Sequence, residues 1–298
     1  GRPPFRRSVA GDGVGRLTVL GQGEIRDLLE RHGLEARRSL GQNFVADPGT
    51  VERIARLAGV GPGDRVVEVG PGLGSLTLAL ADTGAEVTAV EKDRALIPVL
   101  ADVLDSAVAT DRSAGVRVVE GDALVLDWDD LLGRDPWVLV ANLPYNVAVP
   151  VLMRVLRTAP QIRRLVVMVQ LEVAERLCAG PGDRTIGIPS IKVAWYSSAR
   201  ILTTVAPEVF VPRPRVRSAV VGIDRRDPPS TVLGADDVFP LVETAYRQRR
   251  KMLRSTLGRT VPPDVFAAAG IDPQLRPERL GLNDWVRLAE AASRTAEP

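Results

Sequence analysis

An α/β fold is predicted, with a doubly wound, mainly parallel sheet and a small all-helical C-terminal domain, on three features of the sequence. Short apolar runs alternate with helical segments at βαβ spacing from Arg65 to Cys178. One run, Trp137 to Ala141, is apolar throughout, as in strands covered on both faces. Past the proline-rich stretch Arg226-Asp227-Pro228-Pro229-Ser230 only helical patterning remains. A length of 298 residues accommodates one large domain and a smaller one. The expected boundaries are a flexible basic arm over 1–20, a ligand-binding sheet domain over 21–224 and a helical domain over 225–298.

Each element has a local cause. Ile25 to His32 carries apolar residues at helical spacing and stops near Gly33. Arg37 to Val45 reads as a polar loop with one aromatic, Phe44. Asp47 before Pro48 is a helix start, because the carboxylate caps orphan N–H groups and proline has none to lose there. Gly61-Pro62-Gly63-Asp64 turns the chain into a strand over Arg65–Val69, and Gly70 to Gly74 leads into a helix over Ser75–Asp82. A strand over Glu86–Val90 closes at Glu91, a helix follows over Ala95–Val108, and the strand Val116–Glu120 ends at Gly121-Asp122-Ala123. After Trp137–Ala141 come a helix (Val149–Arg157), a strand (Arg164–Val169) and a helix (Glu172–Cys178). A helix and then a strand are expected within Ile186–Ile201. Phe210 to Ser218 is extended, because each proline biases its predecessor toward β or polyproline geometry, and Ala219–Ile223 is the last strand. The C-terminal helices are expected over Asp237–Leu257, Pro263–Ala269 and Asn283–Ala292.

Composition narrows the chemistry. The chain is 45% hydrophobic and 26% charged, with net charge +2. Cys178 is its only cysteine, which rules out an internal disulfide or a Cys-based zinc site and fits a reducing cytoplasm. His32 is its only histidine, so a multi-His metal site is excluded; a solvated surface position is expected for it, and no metal is expected anywhere. No apolar run is long enough to span a bilayer, and Gly1 to Arg16 lacks the apolar region of a secretory signal. Nearly all basic residues are arginines, and from Arg200 to Arg259 bases outnumber acids two to one. Late, concentrated basic charge is the footprint of a phosphate-bearing partner.

The candidate site lies at the carboxyl ends of the parallel strands, where ligands gather in such sheets. Asn142-Leu143-Pro144-Tyr145 closes the apolar strand with an amide, a fixed turn and a flat ring, and with no strong acid, base or nucleophile. That set suits the exocyclic amine of a planar base. Gly70-x-Gly72-x-Gly74 allows close approach of a ligand to the backbone. Glu91 stands where a ribose-binding acid belongs, and Asp122 ends the next strand. Glycine loop, ribose acid and adenine-binding acid together are the arrangement for S-adenosylmethionine; an NAD site would lack its acid-base histidine.

Eight stretches in order carry a resemblance. They are Gly41-Gln42-Asn43-Phe44, Glu68-Val69-Gly70-Pro71-Gly72-Leu73-Gly74, Gly121-Asp122-Ala123, Asn142-Leu143-Pro144-Tyr145-Asn146, Gln170-x-Glu172-Val173-Ala174-x-Arg176-Leu177, Phe210-x-Pro212-x-Pro214-x-Val216-x-Ser218, Gln248-Arg249-Arg250-Lys251 and Gly270-Ile271-Asp272-Pro273. The chain resembles the KsgA-type small-subunit rRNA adenine N6-dimethyltransferases over roughly residues 37–292, and the last two stretches favour that branch over the erythromycin-resistance methyltransferases. The resemblance implies a class I methyltransferase fold, S-adenosylmethionine as cofactor and, as substrate, two adjacent adenosines in a hairpin loop near the 3′ end of small-subunit rRNA, with a part in subunit assembly. It implies that Gln42, Asn43 and Val45 close over the cofactor and that Gly70, Gly72 and Gly74 pass beneath its methionine part. Glu91 would hold the ribose and Asp122, with Ala123, the adenine. Asn142, Leu143, Pro144 and Tyr145 would hold the target adenine, with Phe210 closing its other face. Lys92 stands where the family usually has an aliphatic residue against the cofactor adenine; its stem is expected to pack while its head reaches water. Thr185 to Pro189 replaces a more usual Tyr-Gly-containing sequence. Arg213, Arg215 and Arg217 in the Phe210 loop, and Arg247, Arg249, Arg250, Lys251 and Arg254 on one C-terminal helix, are expected to contact RNA. The protein is expected to act as a monomer on rRNA or a pre-30S particle. A large-subunit resistance methyltransferase and an assembly factor with dispensable methylation are the competing readings.

Overall fold

The computed structural model describes residues 20–37, 41–108 and 115–296, so the expected arm, which ends at residue 20, and Arg38, Ser39 and Leu40 of the polar loop lie outside it apart from Leu20 itself. The chain opens with α1 (Gln22–Arg31), β1 (Phe44–Val45) and α2 (Pro48–Ala58). Asp47 caps α2 by accepting from Thr50 N at 2.7 Å, and Gly59 ends it in the left-handed region at φ 67°. Then come β2 (Arg65–Val69), α3 (Ser75–Ala81), β3 (Glu86–Glu91), α4 (Ile97–Val108) and β4 (Val116–Glu120). A short helix that local sequence does not announce, α5 (Trp128–Leu132), is capped by Asp127, and its Trp128 is buried. The chain continues through β5 (Trp137–Asn142), α6 (Ala148–Thr158), β6 (Ile162–Gln170), α7 (Leu171–Cys178), α8 (Ile188–Tyr196), β7 (Ser197–Val205), β8 (Phe210–Val211) and β9 (Ser218–Arg225). The C-terminal helices are α9 (Ala235–Tyr246), α10 (Leu253–Leu257), α11 (Pro263–Ala269) and α12 (Leu282–Ala296).

Seven strands form one sheet in the order β4-β3-β2-β5-β6-β9-β7. The first five are parallel, and β9 and β7 close the edge antiparallel. Alternate residues of each strand face opposite layers. Val66, Val87, Ala89, Val140 and Val166 pack with α1 to α4, while Val67, Val69, Leu139, Ala141 and Val167 pack with α5 to α7. Both faces are therefore covered, which is why β5 is apolar along its length. The strand order reverses between β2 and β5, a topological switch point that opens a crevice at the carboxyl ends.

A third core joins the C-terminal helices around Trp285 and Phe266 and draws in Ile186, Ile191 and Trp195 from α8 and the turn before it. The helical packing thus begins before residue 224, inside the stretch expected to belong to the sheet domain. The continuous helix expected over Asp237–Leu257 is in fact two. Leu253 N donates to the Leu275 carbonyl at 2.8 Å and Arg254 N to that of Pro273 at 2.9 Å, so these donors leave the helical ladder for tertiary partners. A helix carried through Arg247, Arg250, Lys251 and Arg254 would also stack like charges at i, i+3 and i, i+4.

His32 lies partly exposed at the surface and also has a partner: its Nε2 is 3.1 Å from Asp102 Oδ2, linking the end of α1 to α4. Phe44 and Val45 also leave the loop expected of them, pairing antiparallel with Val211 and Phe210 in a separate two-stranded ribbon.

Candidate active site

A cavity of about 360 Å³ occupies the crevice where β2, β3, β4 and β5 end. Its floor is backbone. Gly70 and Gly72 adopt φ 72° and 58°, and a Cβ on Gly72 would lie 2.9 Å from the Phe44 ring. The loop before β1 closes on the end of β5: a Cβ on Gly41 would lie 2.7 Å from Asn146 Oδ1 and 3.3 Å from Tyr145 N. Gly74, expected beneath a cofactor, is absent from the wall. It is the turn into α3 at φ 87°, and its missing Cβ makes room for Leu100 of α4, which a methyl would meet at 2.7 Å.

Four acids line the cavity: Glu68, Glu91, Asp93 and Asp122. Glu91, 6% exposed, accepts Gly72 N at 3.1 Å and Asp93 N at 2.7 Å. Burial raises its pKa, partly offset by those backbone N–H groups. Glu68, 1% exposed, accepts the Thr77 hydroxyl at 2.6 Å and is pushed up to about 8 by burial, with the Glu91 charge adding to the shift and the Thr77 bond opposing it. Asp122 accepts Leu124 N at 2.9 Å on one oxygen and pairs with Lys92 Nζ at 2.8 Å on the other. Desolvation raises its pKa, but Lys92 and Leu124 outweigh it and the net shift is downward. Lys92 keeps its side chain 63% exposed, as expected, and its head also pairs with the nearby carboxylate. Gln42 is held between the Arg37 N–H, which its side chain accepts at 2.8 Å, and Asp93, to which it donates at 2.9 Å. That bridge fastens the 37–43 loop to the turn after β3. Asn43, Val45 and Ala123 complete this side of the wall.

At the end of β5, Asn142 Nδ2 donates to the Asn43 carbonyl at 2.9 Å. The amide is turned by that bond, and no described residue donates to its Oδ1. The Leu143 carbonyl likewise accepts from no described group, while the Leu143 side chain is buried beneath it. Asn142 and Leu143 both line the cavity, and each has an acceptor to which no described group donates. Pro144 sits against the Gly70 turn at 3.8 Å from where a Cβ would be. Tyr145 lines the wall with its hydroxyl 2.7 Å from Ser218 Oγ. Burial raises the Tyr145 pKa, and the Ser218 bond partly offsets it. Phe210 is placed otherwise than expected. It pairs with Val45 through its backbone, its ring is 2% exposed in the core with α1 and α2, and it is not on the cavity wall. A ring sequestered in this way offers no open face to a base.

The family model described as ribosomal RNA adenine dimethylase matches residues 33–293. The chain belongs to the ribosomal RNA adenine dimethylase family. It is 48% identical over 279 residues to a ribosomal RNA small subunit methyltransferase A of Kineococcus radiotolerans, covering 91% of each chain. It is 47% identical over 280 residues to the protein of the same name in Thermobifida fusca, covering 91% of this chain and 96% of that one. Among solved structures, a dimethyladenosine transferase from Plasmodium falciparum shares the fold with a TM-score of 0.69 at 23% identity, covering 81% of this chain and 94% of that one. The 23S rRNA methyltransferase ErmE matches with a TM-score of 0.64 at 25% identity, covering 84% and 99%.

Dimethylases of this family draw their methyl groups from S-adenosylmethionine. The cavity fits that group: side-chain-free backbone at Gly70 and Gly72, a buried carboxylate at Glu91 for a diol, and the Asp122 carboxylate with remaining lone pairs for an amine. Among the described residues no cluster of His, Cys, Asp or Glu is arranged to hold a metal, and no helix is long and apolar enough to cross a membrane.

The basic residues divide into two groups. Arg213 is paired with Glu208, Arg217 donates to Thr204 Oγ1 at 2.9 Å, and Arg249 donates to Glu278 at 3.2 Å and to the Arg184 carbonyl at 3.1 Å. Arg215, Arg247, Arg250, Lys251 and Arg254 are exposed, with no ion-pair partner among the described residues. Arg247 to Lys251 form a turn between α9 and α10, not the helix face expected. Sequence reading also passed over two wall or anchor residues. Glu68 opens the glycine-loop motif and was visible there as an acid at a strand end. Ser218 closes the extended proline segment, and nothing local marks it as the partner of Tyr145.

Proposed function

We propose that the chain transfers methyl groups to N6 of two adjacent adenosines in a hairpin loop near the 3′ end of small-subunit rRNA, giving N6,N6-dimethyladenosine. The observation that carries this reading is the pair of acceptors at Asn142 Oδ1 and the Leu143 carbonyl, with no donor among the described residues, beside the Tyr145 ring on a stretch that itself holds no strong acid, base or nucleophile. Adenine N6 has two hydrogens and a lone pair conjugated into the ring. Two acceptors for those hydrogens favour a pyramidal nitrogen whose lone pair points away from them, and they stabilise the positive charge that develops there. Alignment replaces base catalysis, since the amine loses its proton easily once alkylated. When bound, S-adenosylmethionine supplies a methyl group already activated on a sulfonium. Glu91 holds its ribose, Asp122 and Ala123 its adenine beside the Lys92 stem, and the Gly70 and Gly72 backbone its methionine part. Asn43 and Val45 wall the cavity, and Gln42 keeps their loop closed through Asp93.

The target base leaves its stack to reach Asn142, which costs least in a loop. Stacking on Tyr145 is worth ~1–3 kcal/mol by the usual range for base-aromatic contacts. The names of the two relatives, both small-subunit methyltransferases, support the small subunit over the large one as the substrate. Arg215, Arg250, Lys251 and Arg254 supply phosphate contacts, and the protein works as a cytoplasmic monomer on an assembling particle.

The test is transfer from labelled S-adenosylmethionine to small ribosomal subunits lacking the modification, with the modified base identified by mass spectrometry. Dimethyladenosine at paired adenosines near the 3′ end is expected. Label in large-subunit RNA alone, or tight subunit binding with no transfer, overturns the proposal.

A further inference from the structure

The Tyr145 hydroxyl and Ser218 Oγ are 2.7 Å apart, and they are 73 positions apart in the chain. Ser218 is fully buried and is the first residue of β9. Its backbone pairs with Gln170 of β6 on one side and Val205 of β7 on the other. Just before it, the Arg217 carbonyl accepts Leu171 N at 2.9 Å. The hydroxyl therefore projects from a post held by two ladders, and it has no other hydrogen-bond partner among the described residues. Tyr145, by contrast, sits in a turn between β5 and α6 and is half-buried at the cavity wall. Its ring has two torsions, and the far end of the ring is fixed by where the hydroxyl is bound. A second tie runs through the same segment. Val211 and Phe210 pair with Phe44 and Val45, and Ala46 N donates to the Val209 carbonyl at 2.7 Å. Asn43, on the same loop, takes the Asn142 amide. The segment from Val209 to Ser218 is thus fastened at one end to the loop that orients Asn142 and at the other to Tyr145.

We propose that Ser218 is a positioning residue for methyl transfer, holding the Tyr145 ring in its stacking orientation through the hydroxyl–hydroxyl bond before the target adenine arrives. This rests on the reading that the Tyr145 ring stacks on the target base. A ring already oriented loses little freedom when the base enters, and an aligned base is what the Asn142 and Leu143 acceptors need. Ser218 touches neither substrate nor cofactor; its effect passes entirely through Tyr145.

The experiment is a double-mutant cycle on Ser218→Ala and Tyr145→Phe in the full chain, with Ser218→Thr and Tyr145→Ala alongside. Three quantities are measured for each: the single-turnover transfer rate on small subunits lacking the modification, S-adenosylmethionine affinity by calorimetry, and the melting temperature. Ser218→Ala and Tyr145→Phe are each expected to slow transfer about three- to tenfold, the range for one lost hydrogen bond, with cofactor affinity unchanged. The double variant is expected to be no slower than the slower single, and Ser218→Thr to recover the wild-type rate. Additive losses in the double variant overturn the proposal. So does a slow Ser218→Ala beside a wild-type Tyr145→Phe, or a Ser218→Ala whose cofactor affinity falls along with its rate. Tyr145→Ala separates the underlying reading: it is expected to be slower than Tyr145→Phe, and a wild-type rate would show that the ring does not stack on the base at all.

Discussion

Asn142 shows how much one side chain owes to a distant one. The tetrapeptide announces an amide at a strand end, but its orientation is fixed by a bond to the Asn43 carbonyl, 99 positions away. Replacing Asn142 with Ala removes one acceptor from the wall and one bond from the 41–45 loop. Transfer is expected to fall at least 100-fold, roughly the loss for one preorganised polar group, with cofactor affinity within a few-fold of wild type; retained dimethylation in a steady-state assay would sink the assignment. Glu68 makes a prediction of a different kind. Its carboxyl is neutral in folded and unfolded chains below the ordinary carboxyl range. From there to about 8, the folded protein keeps a proton that the unfolded chain has released. Stability attributable to this group therefore declines as pH rises through that window. Glu68→Gln, which keeps the Thr77 acceptor, is expected to flatten that decline, so that its melting temperature gains on wild type toward pH 8 and above. Equal pH profiles for the two proteins would place the Glu68 pKa in the ordinary range.

The two-stranded ribbon of β1 and β8 and the break between α9 and α10 are features of whole elements. Neither is written in local pattern: two residues on each strand are too few for periodicity, and the break depends on carbonyls at Pro273 and Leu275. Phe210 belongs to this scale, since its backbone makes the ribbon and its ring joins the sheet to α1 and α2. Phe210→Ala is expected to cost about 3–5 kcal/mol of stability, the usual loss for a core phenylalanine, measured by urea denaturation. Transfer at low temperature, where the variant stays folded, is expected to fall through loosening of the 41–45 loop, raising the KM for S-adenosylmethionine. Normal stability with slow chemistry would instead return the ring to the cavity wall.

For the molecule as a whole, the basic excess in the last hundred residues meets a sheet domain in which acids slightly outnumber bases, so phosphate contact is expected on one side. Charge reversal is not needed to test it. Replacing Arg249, Arg250 and Lys251 with Gln is expected to reduce the slope of log binding constant against log salt by roughly two units, with Arg249 contributing least because Glu278 already holds it. An unchanged slope would take the 247–251 turn off the RNA surface. The alternation of apolar strands and helices, the glycine turn, the acids at strand ends and the Asn-Leu-Pro-Tyr set were all legible in the sequence, because each depends on periodicity or on a few adjacent residue types. Legible in the same way were the helical character of the C-terminal region and thirteen of the residues that line the cavity. What only the tertiary structure decided was partnership: Lys92 with Asp122, His32 with Asp102, Tyr145 with Ser218, Gly74 with Leu100, and Phe210 with the core in place of the cavity. The physical reason is common to all of them. A hydrogen bond, an ion pair or a close contact depends on distance in space, and the chain brings these residues together only after the sheet has set the order and register of its strands.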